Sequence, residues 1–204
     1  MNPALLHDLQ TAYDKMVMAR EGKTFYSWKA AERARFLAMV QTEGKATVLE
    51  IGAGTGRDSL FFQEQGMAVS CVDLSPAMVE RCRSKGLDAH IVGFAELDHH
   101  FAADRFDAVY AVNCLLHVPK PDLKPILRKI WTILAPGGLF YWGQYGGVDQ
   151  EGVWEGDNYS PKRFFARYTD EQFQALPHGI FTTEAFCVIP KSEESHFHSL
   201  ILRK

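Results

Sequence analysis

The chain has 204 residues, 47% hydrophobic and 23% charged, which is enough for one substantial core and too short for two comfortable ones. A formal charge of −3 leaves no electrostatic footprint for a polyanion, which argues against nucleic acid and in favour of a small-molecule partner. No apolar run approaches the roughly 18 residues of a membrane span, and the opening Met1-Asn2-Pro3-Ala4 lacks an export signal, so the expectation is a cytoplasmic domain over 1–204, with no membrane partner, as a monomer or homodimer.

In chain order, residues 2–20 carry Leu5, Leu6, Leu9, Tyr13, Met16 and Val17 at helical spacing. A second helix is predicted from Ser27, as its N-cap, to the break at Gly44. Two helices ahead of the first strand make residues 1–45 a helical cap over a core of 46–204. The aromatic residues Tyr13, Phe25, Tyr26 and Trp28 then either pack the cap or face a ligand. A short strand (47–51) runs through a glycine turn into a helix (56–65). A second strand (68–72) delivers Asp73, and Ser75-Pro76 begins the next helix with Ser75 as N-cap and Pro76 at the first helical position.

Further strands are predicted over 89–92, 108–112 and 139–143, with an amphipathic helix over 122–134 between the last two. The stretch 144–161 interleaves glycines and acids with Tyr145, Trp154 and Tyr159. It is expected to be a long functional loop, mobile unless those aromatics are anchored. Thr169 with Gln172 has capping-box spacing for a helix over 169–175, and two strands (181–189 and 196–202) form a closing hairpin. The four cysteines form no C-x-x-C pair, and His99-His100 has no partner at ligand spacing, so no metal is expected.

The centre of the chain is Glu50-Ile51-Gly52-Ala53-Gly54-Thr55-Gly56, followed by Asp73 at the end of the second strand, the layout of a nucleoside-binding βαβ unit. A dinucleotide fingerprint would place its third glycine where Arg57 stands, which disfavours a nicotinamide-dependent oxidoreductase. An acid at the strand end suits a ligand with an ammonium group better than one with a pyrophosphate. This loop, with Val72-Asp73-Leu74-Ser75-Pro76-Ala77-Met78, Arg105-Phe106-Asp107-Ala108-Val109-Tyr110 and Leu134-Ala135-Pro136-Gly137-Gly138-Leu139, resembles the class I S-adenosylmethionine-dependent methyltransferases, specifically the type 11 small-molecule group.

That resemblance implies an α/β, Rossmann-like seven-stranded sheet, mostly parallel with an antiparallel C-terminal strand, helices on both faces and an N-terminal helical cap. It implies methyl transfer from S-adenosylmethionine to a small acceptor, with S-adenosylhomocysteine as product. The cofactor would be held by Glu50, Gly52, Ala53, Gly54, Asp73, Leu74, Met78, Phe94, Ala95, Asn113 and Cys114. Phe94 stands where the family usually has an acid for the adenine amino group, so adenine would be held by backbone and apolar contact or by Glu96. His117 is the candidate general base, with loop-backbone bonding as the alternative. Tyr13, Tyr26, Trp28, Tyr145, Trp154 and Tyr159 would form the substrate rim. A non-catalytic cofactor binder is the remaining alternative.

Overall fold

The structure, a computed structural model, describes residues 2–191 and 196–204. Three helices, α1 (Pro3–Asp14), α2 (Val17–Glu21) and α3 (Ser27–Thr42), precede β1 (Thr47–Ile51). Then α4 (Arg57–Glu64), β2 (Ala68–Asp73), α5 (Pro76–Arg83), β3 (Asp88–Ile91), α6 (Leu97–His100) and β4 (Phe106–Val112) alternate. After them come α7 (Lys120–Ile133), β5 (Leu134–Gly146), β6 (Gln150–Val153), β7 (Phe164–Arg167), α8 (Asp170–Ala175), β8 (Thr182–Pro190) and β9 (His196–Arg203).

Seven strands form one sheet in the order β3-β2-β1-β4-β5-β9-β8, and β6 and β7 form a separate antiparallel pair. Strands β1 to β5 are parallel, whereas β9 runs antiparallel to both neighbours. Parallel strands covered on both faces read as nearly continuous apolar runs, as β1, β2 and β4 do. Strand order reverses between β1 and β4, where ligands bind beyond the carboxyl ends in open α/β sheets. The register makes those ends level: Ile51 lies beside Val72 on one side and Ala111 on the other.

One face is covered by α7, whose Leu123, Ile126, Leu127, Ile130 and Ile133 are all buried. Each such side chain contributes roughly 1.5–3 kcal/mol on leaving water. The other face is covered by α3, which buries Phe36, Leu37 and Val40 against Val48, Tyr110, Tyr141 and Ile201. Thus α3, grouped with the cap from sequence, is a layer of the core, and its first turn joins α1 and α2 at the carboxyl ends of the strands.

Other sequence expectations shift in detail. The helix expected over 2–20 ends at Asp14 and resumes at Val17. The N-cap of α3 is Tyr26, with no side-chain cap bond, so Ser27 is already helical. Ser75 does cap α5, accepting from the Met78 amide at 3.1 Å, and Thr169 with Gln172 forms the expected capping box on α8.

The segment 144–161 is less loop than expected. Its first three residues extend β5, and Gln150–Val153 pairs with Phe164–Arg167. Its aromatics are anchored within the chain: Tyr145 edge-on to Phe197 at 5.5 Å, Trp154 on Phe165 at 5.9 Å, and Tyr159 beneath the Arg163 guanidinium at 3.5 Å. Among the described residues no helix is long and apolar enough to cross a membrane.

Candidate active site

The turn after β1 is shaped by two glycines with different jobs. At Gly52 φ is +72°, and a Cβ would fall 2.3 Å from the Cys114 Cβ, so the loops after β1 and β4 touch only because Gly52 lacks a side chain. At Gly54 φ is +55°, and a Cβ would meet only the Arg20 guanidinium at 3.8 Å, because it points into the crevice. Cys114 is buried and its thiol donates to the Ile51 carbonyl at 3.1 Å; burial also pushes that thiol up, which makes it a packing group and no nucleophile.

Asp73, at the end of β2, accepts from the Gly54 amide at 2.8 Å and the Ser75 amide at 2.9 Å. Burial raises its carboxyl, against those two bonds and the nearby Arg20 charge. A carboxylate has about four lone-pair directions, so acceptor capacity remains for a ribose hydroxyl. Asn113 follows β4 with φ +53°, and its Oδ1 is buried without a partner. An orphaned acceptor at this point has the chemistry to take a donor from a ligand.

Two cavities meet here. The first, about 50 Å³, is lined by Asp73, Leu74, Val92, Phe94 and Asn113 from the sheet side and by Leu6, Leu9, Gln10 and Tyr13 of α1. The second, about 390 Å³, takes in Glu50, Ala53 and Asp58 at its base and Tyr26, Tyr145, Trp154 and Tyr159 at its rim. Tyr13, Arg20, Gly52, Gly54, Asn113 and His117 border both.

Three expected site residues lie elsewhere. Met78 is fully buried, and neither it nor Ala95 borders either cavity. Trp28 turns from the larger cavity to pack on Phe197 at 4.8 Å, under the Lys191 ammonium. Nor does Glu96 reach the first cavity, because its carboxylate bends back to accept from the Gly93 amide. The remaining cofactor residues and five of the six rim aromatics do come together around the two cavities, with Tyr13 set between them rather than at the edge.

Glu50 is buried and accepts from the Ser59 hydroxyl. Burial, then the neighbouring Asp58 charge, pushes its carboxyl well above the usual range, which favours the neutral acid, and a cation placed beside it would lower it again. His117 is also buried. Its Nδ1 lies 2.7 Å from the Phe164 carbonyl, which can only accept, so Nδ1 carries the proton and Nε2 the lone pair. The Tyr13 hydroxyl therefore donates to Nε2 at 2.8 Å and itself accepts from Arg163 Nη1 at 3.0 Å. Burial lowers the imidazolium pKa to about 3, so His117 is a neutral acceptor and a weak base.

Sequence reading missed the cations. Arg163 grips Asp157 through Nε at 2.8 Å and Nη2 at 2.9 Å, and Arg20 donates to the Tyr159 hydroxyl at 3.2 Å. Lys29 and Arg167 line the larger cavity with no carboxylate in ion-pair range among the described residues, and burial lowers Lys29 to about 8. The only signal in the chain was the recurrence of Arg and Lys beside the aromatic residues of 20–29 and 159–167. Arg57, which breaks the dinucleotide fingerprint, donates to the Glu21 and Lys23 carbonyls and ties the cap to the glycine turn.

Residues 48–138 match the family described as "Methyltransferase domain". The chain is 31% identical over 136 residues to a thiol S-methyltransferase of Mus musculus, covering 62% of this chain and 54% of that protein. It is 32% identical over 105 residues to a ubiquinone biosynthesis O-methyltransferase of Xanthomonas oryzae, covering 47% and 41%. The chain thus spans about half the length of the curated relatives it matches. Among solved structures, the 1,6-didemethyltoxoflavin-N1-methyltransferase of Burkholderia thailandensis, with bound 1,6-didemethyltoxoflavin and S-adenosylhomocysteine, aligns with a TM-score of 0.72 at 23% identity, covering 100% of this chain and 92% of that one. The [4+2]-cyclase SpnF aligns with a TM-score of 0.73 at 16% identity, covering 98% and 96%, a likeness of fold alone. Residues 48–138 thus match a methyltransferase domain, and the reversed-order sheet, the glycine turn and the acid after β2 give the chain the fold of the methyltransferase structures it resembles.

Proposed function

We propose that the protein transfers a methyl group from S-adenosylmethionine to a small acceptor held as an anion, with planar apolar faces, and releases S-adenosylhomocysteine. The carrying observation is the larger cavity, whose wall combines the faces of Tyr26, Tyr145 and Trp154 with the cationic ends of Arg20, Lys29 and Arg167. The names of the relatives, a thiol S-methyltransferase, a ubiquinone biosynthesis O-methyltransferase and a 1,6-didemethyltoxoflavin-N1-methyltransferase, support a small-molecule acceptor.

Asp73 and the Asn113 Oδ1 would take the ribose and its neighbouring donors, Leu74 and Phe94 the adenine, and Glu50 the ammonium end. Bound there, the cofactor supplies a methyl carbon made electrophilic by its sulfonium. The chain's task is then alignment and exclusion of water, for which intramolecular positioning offers up to roughly 7–11 kcal/mol of barrier. The faces of Tyr13 and Tyr159 would stabilise a cation at the border of the two cavities.

His117 has its lone pair engaged by Tyr13 and its basicity lowered by burial, so it is a poor match for removing a proton from a neutral acceptor at pH 7. An acceptor that arrives already ionised needs no such base, and the cations of the wall favour that form. The role proposed for His117 is therefore to hold Tyr13, in place of general-base catalysis.

The test is S-adenosylhomocysteine production from a panel of aromatic thiols, acidic phenols and acidic heterocycles, each paired with a neutral isostere. Anionic members should be turned over with kcat/KM at least tenfold above their isosteres, a difference of about 1.4 kcal/mol. Preference for neutral acceptors would overturn the acceptor class. Tight S-adenosylmethionine binding with no product from any member would favour the non-catalytic binder.

A further inference from the structure

Away from both cavities, His196 and His198 sit two residues apart on β9 and so project from the same face of the strand. Asp170, the first residue of α8, meets them. Asp170 Oδ1 lies 2.6 Å from His196 Nε2 and 2.8 Å from His198 Nε2, and the two nitrogens are 3.0 Å apart. The end of β5 and the residue after it make room for the rings: a Cβ at Gly146 would fall 2.3 Å from His198 Cε1, and one at Gly147 would fall 2.6 Å from His196 Cε1. Phe173 stacks on His198 at 4.5 Å and fixes its orientation.

Hydrogen bonds alone do not account for this convergence. If both Nε2 atoms carry protons and donate to Asp170, the two N–H groups are forced together at 3.0 Å. If only one carries a proton, the other nitrogen sets its lone pair against the carboxylate oxygen. With Asp170 ionised, no placement of protons on neutral rings makes all three contacts favourable. A divalent cation does, since each atom then offers it a lone pair. The three distances fit one: a point about 2.0–2.1 Å from every atom lies roughly 1.2 Å out of their plane and sees them about 80–95° apart. Near-right angles with two imidazoles and one carboxylate describe one face of an octahedral site.

We propose that Asp170, His196 and His198 bind one divalent transition-metal ion of the Fe, Co, Ni or Zn class, with water completing the shell, and that this ion pins the start of α8 to β9. Asp170 is 37% exposed in its side chain, which leaves the open positions to solvent, while His198 is fully buried. His196 pairs with Gly146 at the end of β5, one residue after Tyr145, which lines the larger cavity.

The test uses untagged protein stripped with a chelator and titrated with Co2+, read by visible absorption and by Zn2+ competition. One equivalent should bind per chain, and Zn2+ at a hundred times its Kd should raise the thermal midpoint by about 5–10 °C. His196→Gln and Asp170→Ala should weaken binding at least a hundredfold. Absence of any binding by wild type at millimolar Co2+ overturns the proposal, whether or not the variants fold. Equal binding by a folded variant overturns it too.

Discussion

Replacing His117 by Gln isolates a titration that the fold suppresses. In the unfolded chain the imidazole takes up a proton near its ordinary 6.5, whereas in the fold it does so only near 3, because burial excludes the charge. Between those values unfolding takes up one proton. The stability due to the neutral ring is therefore complete above about pH 6.5 and is lost at roughly 1.4 kcal/mol per unit as pH falls. Going from pH 7.5 to 5.0 removes about 2 kcal/mol. At pH 7.5 the substitution should destabilise by about 1–3 kcal/mol, because it disturbs the bonds to Phe164 and Tyr13. That penalty should shrink by about 2 kcal/mol at pH 5.0, since the variant has nothing there to protonate. Urea unfolding of both proteins at four pH values measures the difference, from which Glu50, Asp58 and the other histidines drop out because they titrate in both. A penalty constant to within about 0.5 kcal/mol would show that His117 is protonated in the fold and refute the account of Tyr13 as its donor.

Asp73→Ala should weaken S-adenosylmethionine binding at least tenfold, about 1.4 kcal/mol, since hydrogen bonds to charged acceptors are worth roughly 1.5–3 kcal/mol each; an unchanged Kd by calorimetry in the folded variant removes Asp73 from the site. The two glycines should separate: Gly52→Ala should cost at least about 2 kcal/mol of stability through its left-handed strain and its collision with Cys114, whereas Gly54→Val should abolish cofactor binding in a protein that still folds. Normal binding by the Gly54 variant would mean the turn is not the cradle. Trp154→Ala should raise the acceptor KM several-fold and leave cofactor affinity within about twofold, because Trp154 borders only the larger cavity. A tenfold loss of cofactor affinity in the stable variant would contradict that division.

The parts of this molecule that could be read in advance are those where one physical requirement acts through neighbouring residues. The turn Gly52–Gly54, Asp73 at a strand end and the Ser75 cap each follow from local backbone needs, and each stands where expected. The misses depend on partners far along the chain. Tyr13 meets His117 and Arg163 across more than a hundred residues, so its spacing within α1 could not place it between the cavities. Strand β6 escaped notice because Gln150-Glu151-Gly152-Val153 has no alternation and a single β-branched residue; its pairing is supplied by β7. The burial that weakens His117 as a base is likewise a tertiary property, and the motif around Asn113-Cys114 carries no trace of it.

On the proposed activity, the placement of α1 against the first cavity would set a clock for turnover. About 50 Å³ is far less room than the 300 Å³ or more of a typical small-molecule site, so a nucleoside would fill this cavity only with α1 displaced from the sheet. What holds it shut is a short set of bonds: Tyr13 to His117, Asp14 accepting from Ser75 and Ala77, and Lys15 donating to the Ser160 carbonyl. A helix of twelve residues is barely stable once detached, so opening amounts to local melting of the N-terminus. Spent cofactor would then leave no faster than that segment unzips, and the turnover number would report the strength of those bonds.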